Sequence, residues 1–118
     1  MQGMMMHTPL SIIEVLKFAA EVHPSAGLVS VRTEGDIHRT SYPETFGRAA
    51  QLAHALAALG INNGDRVATL AWNGYRHFEL YFGIAGIGAV CHTINPRLSA
   101  EQLIYIPITR QTACYFWI

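Results

Sequence analysis

The sequence is short of charge, lysine, cysteine and long apolar runs, and each shortage removes a class of function. Only 14% of its 118 residues are charged, and eight basic residues balance eight acidic ones. A neutral chain has no electrostatic footprint for nucleic acid and no basic groove for acidic substrates. Lys17 is the sole lysine, so a G-x-x-x-x-G-K-[ST] phosphate loop cannot be formed anywhere. Two cysteines, Cys91 and Cys114, do not make a secreted disulfide framework, which leaves the reducing cytoplasm as the expected compartment. The opening MQGMMMHTPL lacks the basic start and apolar stretch of a secretory signal. The longest apolar run, Leu80 to Cys91, is too short to span a bilayer and follows Glu79 directly. No G-x-S-x-G occurs, nor any close carboxylate pair suited to acid–base work.

What remains is 51% hydrophobic, enough for one small domain with a core. Thr8-Pro9 suits a helix start, and Leu10, Ile13, Leu16 and Ala20 recur at helical spacing until His23-Pro24. LVSVR, the turn TEGD and IHRTSY predict a β-hairpin. Ser41 and Glu44 form a capping box ahead of a helix with Phe46, Ala49, Ala53 and Leu56 on one face, stopped by Gly60. Strand 66–72, helix 75–87 and strand 89–94 then read as one βαβ unit with parallel strands. Such a sheet needs cover on both faces, and the chain's own helices are the available cover. Val67, Leu70, Ile84, Ile87 and Val90 are expected in one core. Ser99 with Gln102 caps a further helix, AEQLIYI. The fold class is α/β.

Several motifs invite chemistry and lose to plainer readings. Gly83, Gly86 and Gly88 have the wrong order for G-x-G-x-x-G and lie within or at the end of a helix, so close helix–sheet packing is expected instead. Six histidines offer no ligand spacing beyond Cys91-His92, and neighbours on a strand point to opposite faces. Arg76, His77 and Glu79, at a helix start, read as a solvated or subunit-facing rim. The loop from His92 to Leu98 lies at a strand's C-terminal end, where α/β folds tend to bind ligands, although Asn95-Pro96 also serves strand-end geometry. No catalytic, cofactor-binding or metal-ligating residue is assigned.

The stretches GDIHRTSYPETFGRAAQLAHALAALGINNGDRV and GDRVATLAWNGYRHFELYFGIAGIGAVCHTINPRLSAEQLIYI closely resemble the N-terminal region of AMP-forming acyl-CoA synthetases, in the adenylate-forming superfamily. LAWNGYRHFELYFGIAGIGAVCHTINPRL is most similar to the bacterial fatty-acyl-CoA synthetases. The resemblance runs from residue 1 to 106 and implies a partial N-terminal AMP-binding domain over 1–106. It implies activation of a fatty acid with ATP and Mg²⁺, then transfer of the acyl group to coenzyme A. It also implies that the phosphate loop, acyl tunnel and catalytic lysine lie outside these residues, so the chain alone is expected to be inactive. Gly60, Gly64, Asp65-Arg66 and the βαβ unit match as scaffold. A homodimer is compatible with the intact enzyme.

Residues 107–118, PITRQTACYFWI, lack caps and periodicity. Read one base out of phase, their codons permit Asn-His-Ala-Ala-Asp-Arg-Val-Leu-Phe-Leu-Asp, which is in register with the resembling family. The resemblance therefore implies a frameshift after Ile106 and a poorly packed, non-native tail. Three rival readings remain open. The substrate could be another carboxylic acid, short-chain, thioether or aryl. The chain could be a stand-alone interaction domain, or a dinucleotide-binding half-domain lacking the expected Gly-rich turn after its strand.

Overall fold

A computed structural model of the chain describes residues 10–109 and 112–117. The expected Thr8-Pro9 start lies outside them. The first helix, α1, spans Ile12–Val22, with Ser11 in extended conformation at its N-cap and His23 at its C-cap. Leu10 is therefore not part of its apolar face but an exposed residue ahead of it. The hairpin forms as expected, β1 (Gly27–Val31) pairing antiparallel with β2 (Ile37–Ser41).

The chain passes straight from β2 into α2 (Tyr42–Ala58), because Ser41 ends the strand and caps the helix. Its hydroxyl accepts from the Glu44 N–H at 3.3 Å, and the Glu44 carboxylate accepts from the Ser41 N–H at 2.9 Å. These bonds satisfy two donors that a helix start leaves open, and hold Glu44 below the usual carboxylate range.

Next come β3 (Arg66–Leu70), α3 (Tyr75–Gly86), β4 (Val90–Ile94), α4 (Ala100–Thr109) and β5 (Cys114–Trp117). The parallel sheet has the order β4-β3-β5. Leu56, Val67, Leu80, Ile84 and Ala89 form the core between this sheet and helices α2 and α3. Leu16 of α1 joins Ala49 and Phe82 in a second cluster on the same side. Among the described residues, no helix is long and apolar enough to cross a membrane.

Four expectations need correction. Val90 is 49% exposed, not buried, because it begins an edge strand and points away from the core cluster. Leu70 is only partly buried, on that same opposite face, and Ile87 packs at the rim of the core. Gly83 serves helix–helix packing: a Cβ there would meet a Leu52 methyl at 2.6 Å and the Ala49 carbonyl at 3.1 Å, both on α2. Gly88 has φ of 75°, a left-handed turn from α3 into β4 that favours glycine.

The fourth correction concerns the tail. Helix α4 continues through Pro107, and β5 pairs with β3 in parallel register, Val67 opposite Cys114. Cys114 and Phe116 pack against the core cluster, so this part of the tail is not poorly packed. Alternation along a four-residue strand places these two side chains on the same face.

Candidate functional site

Two parallel strands ending side by side leave a crevice at their C-terminal ends, where the chain turns away to either side. Here that crevice is an open cavity of about 590 Å³. One wall is Ala71, Trp72 and Asn73, following β3. The other is Asn95, Pro96 and Arg97, following β4, with His77 and Tyr81 of α3 behind them. The loop expected at a strand end thus meets the start of α3, which the sequence reading took for a solvated or subunit-facing rim.

The Asn95 side-chain oxygen accepts from the Arg97 N–H at 2.9 Å, and the Leu98 N–H bonds the Asn95 carbonyl at 3.2 Å. This side-chain turn fixes the loop and sets Arg97 over the Trp72 ring, 5.8 Å from its centroid. Trp72 remains 54% exposed. A large aromatic held half in water beside a guanidinium presents a flat apolar surface and a positive charge together.

His77 is buried, at 5% exposure. Its Nε2 lies 3.0 Å from the Thr69 hydroxyl, and its ring stacks on Tyr81 with centroids 4.6 Å apart. Its Nδ1 has no hydrogen-bond partner among the described residues. Burial pushes its pKa below the ordinary 6.5, because the charged form loses its hydration. The ring is accordingly neutral at pH 7. Two residues on, Glu79 is also buried and accepts from Arg48 Nε of α2 at 2.6 Å. The expected solvated rim is therefore an interior pair of polar contacts, with only Arg76 toward solvent, where it binds Glu34 at 2.9 Å. His77 and Glu79 gave no local signal, since their partners come from a neighbouring strand and another helix.

The lining carries one cation, Arg97, and no carboxylate. Among the described residues, no three His, Cys, Asp or Glu side chains come together as metal ligands. A magnesium–nucleotide needs oxygen ligands for the metal and backbone N–H groups or lysine for its phosphates. These residues do not fit that group, and no chemical step is derived through it. The arrangement can hold a planar or anionic portion of a ligand, with His77 as the one imidazole in its lining.

The sequence matches the family of AMP-binding enzymes over residues 16–116. The chain belongs to that family. Among curated relatives, it is 47% identical over 106 residues to a 3-methylmercaptopropionyl-CoA ligase of Ruegeria lacuscaerulensis, covering 90% of this chain and 20% of that protein. It is 45% identical over 106 residues to a medium-chain-fatty-acid–CoA ligase of Ectopseudomonas oleovorans, covering 90% and 19%. A Mycobacterium tuberculosis fatty acyl CoA synthetase superposes with a TM-score of 0.76 at 31% identity, over 91% of this chain and 21% of that one. The α/β architecture is that of the N-terminal part of adenylate-forming enzymes. The chain spans about a fifth of the length of the curated relatives it matches.

Proposed function

We propose that this chain is scaffold from a fatty-acid–CoA ligase and is catalytically inert by itself. The intact protein would join a carboxylate to ATP, releasing pyrophosphate, and then pass the acyl group from AMP to the thiol of coenzyme A. Carboxylate is a poor electrophile, and the mixed anhydride with AMP makes its carbon attackable. The supporting observation is 45% identity to a medium-chain-fatty-acid–CoA ligase across 90% of the chain. Inertness is supported by a cavity without a carboxylate and by a sequence with no lysine besides Lys17. ATP, Mg²⁺ and coenzyme A belong to the intact enzyme in this reading. Cytoplasmic action and homodimerisation of that enzyme are parts of the same proposal and rest on the family alone.

A second reading has a specific observation behind it. The 47% relative is a ligase for a thioether acid, so 3-methylmercaptopropionate is the alternative substrate class. For residues 107–118, the out-of-phase reading stands as a proposal about the gene, answered by its nucleotide sequence.

The test exchanges residues 16–106 into the matching segment of the Ectopseudomonas ligase. Retained medium-chain acyl-CoA formation is expected, while the 118-residue chain alone releases no acid-dependent pyrophosphate. A soluble, folded chimera without activity would overturn the scaffold reading, and pyrophosphate release by the chain alone would overturn its inertness.

A further inference from the structure

Asparagine followed by glycine can change its own covalent structure, because glycine has no side chain to shield its amide nitrogen. The chain holds asparagines at 62, 63, 73 and 95, and two of them precede glycine, Asn63-Gly64 and Asn73-Gly74. Solvent access does not separate these two, for both asparagines are exposed. The state of the following amide does. The Gly64 N–H donates to the Gly88 carbonyl at 3.0 Å, in a turn that holds Gly64 at φ of 85°. A Cβ at Gly88 would lie 2.1 Å from Asn63 Nδ2, so the Asn63 side chain rests on the Gly88 backbone and not on its own neighbour. Asn73 and Gly74 lie between β3 and α3, outside both elements. Neither the Gly74 N–H nor the Asn73 side chain has a hydrogen-bond partner among the described residues. The other two asparagines are held. Asn62 N–H donates to Asp65 Oδ2 at 2.7 Å, and its side-chain nitrogen to the Gly60 carbonyl at 2.8 Å. Asn95 precedes Pro96, whose nitrogen carries no proton, and its side-chain oxygen accepts from the Arg97 N–H at 2.9 Å.

We propose that Asn73 is a site of spontaneous deamidation, selected by the fold over Asn63, and that the reaction places a carboxylate in the crevice beside Arg97. The Gly74 amide nitrogen attacks Asn73 Cγ and forms a new C–N bond. The bond from Cγ to the side-chain nitrogen breaks, and that NH2 leaves with the Gly74 amide proton as ammonia, so a five-membered succinimide remains. Water opens the ring at either carbonyl. One opening gives aspartate, and the other gives isoaspartate, with the main chain routed through the side-chain carbon. The sum is one water taken up and one ammonia released, with no oxidant or reductant. Asn73 lines the crevice, whose lining has Arg97 as its one cation and no carboxylate, so the product cancels that positive charge. The new charge also sits ahead of the N-terminus of α3, where the helix dipole favours it. The isoaspartyl form further lengthens the main chain by one methylene directly before Gly74, the N-cap of α3. The next amide, Tyr75 N–H, donates to Ser30 Oγ of the hairpin at 3.2 Å, and the added length shifts that donor away from its acceptor.

The experiment keeps the 118-residue chain in mildly alkaline buffer and, in parallel, in denaturing urea, and follows both Asn-Gly peptides by mass spectrometry over time. In urea the two should convert within two-fold of each other. In buffer Asn73 should convert at least ten-fold faster than Asn63. Gly74→Ala adds a Cβ that would meet Ser30 Oγ at an ordinary 3.4 Å, at a φ of −165° that suits any residue, and should slow conversion at 73 ten-fold or more. In aged chain resolved as the isoaspartyl form, the Tyr75 amide should exchange at least ten-fold faster than in Asn73→Asp, which carries the same charge on an unaltered backbone. Equal conversion at 63 and 73 in buffer, or faster conversion at 63, would overturn the proposal. Conversion at 73 in urea alone would overturn it as well. Equal Tyr75 exchange in the isoaspartyl form and in Asn73→Asp would overturn the coupling to the hairpin.

Discussion

The two ends of α3 are built on opposite principles. Its C-terminal half is apolar and close-packed: Leu80 and Ile84 fill the core, and Gly83 lets the helix press on Leu52 and Ala49 of α2. Its N-terminal half buries polar groups, His77 against Thr69 and Glu79 against Arg48, beneath an open cavity. Apolar packing tolerates exchange among apolar side chains of like volume and resists a change of volume. Buried polar groups reverse this, since each must find a named partner. The helix thus anchors the fold at one end and shapes a crevice at the other.

Volume at the apolar end should give the largest effect. Gly83→Leu forces carbon into space held by Leu52 and the Ala49 backbone, and should cost about 3 kcal/mol. A lowered urea midpoint with an unchanged slope would show it; an unchanged midpoint would mean that α2 and α3 are not in close contact.

The Arg48–Glu79 pair sharpens the contrast at the polar end. Arg48's side chain is 56% exposed and Glu79's only 9%. Removing the exposed partner should nonetheless do more harm, because it strands a buried carboxylate. Arg48→Ala is expected to cost about 2 kcal/mol, discounted for the exposure of the arginine. Glu79→Gln keeps a hydrogen-bonding group in place and should cost below about 1 kcal/mol. The reverse order in equilibrium unfolding would show that the pair is only a surface contact.

The smallest effect is a slope against pH. Burial holds the folded His77 pKa below the ordinary 6.5, so on acidification the unfolded chain takes up this proton before the folded one. Stability is therefore fully present above pH 6.5 and falls as pH drops below it. Urea midpoints on either side of that pH should differ in the parent chain and differ less in His77→Phe. An identical slope in both would remove His77 as its source.

Local patterns carried the first half of this contrast. The capping box at Ser41 and Glu44, the hairpin and the βαβ unit were all legible, because each is written in neighbouring residues or in a period of apolar side chains. Nothing local marks His77 as interior, since its hydrogen-bond partner is Thr69 and its shelter is the strand's end. Val90 has the same apolar signature as Val67, and only the strand order makes one an edge residue and the other core. Gly83 was legible as a packing glycine, but its partner was a helix and not the sheet. Strand β5 was the hardest case: four residues with no flanking pattern acquire their structure from β3. Of the candidate site, the His92–Leu98 loop was visible through strand-end reasoning, while Trp72 and His77 had to be brought to it by the fold.

The β3–β5 pairing has a consequence in time. Strand β3 lies between its two partners in space, yet one partner follows it after a single helix and the other only after α3, β4 and α4. Synthesis runs from β3 through α3 and β4 to β5, so a chain that pairs its strands in that order first holds a two-stranded sheet with β3 as an open edge. Closing the longer loop costs more chain entropy for the same kind of ladder, which makes it the slower step. Until β5 arrives, the hydrogen-bonding row meant for it is open to the edge of any other strand nearby, including β3 of a second nascent copy.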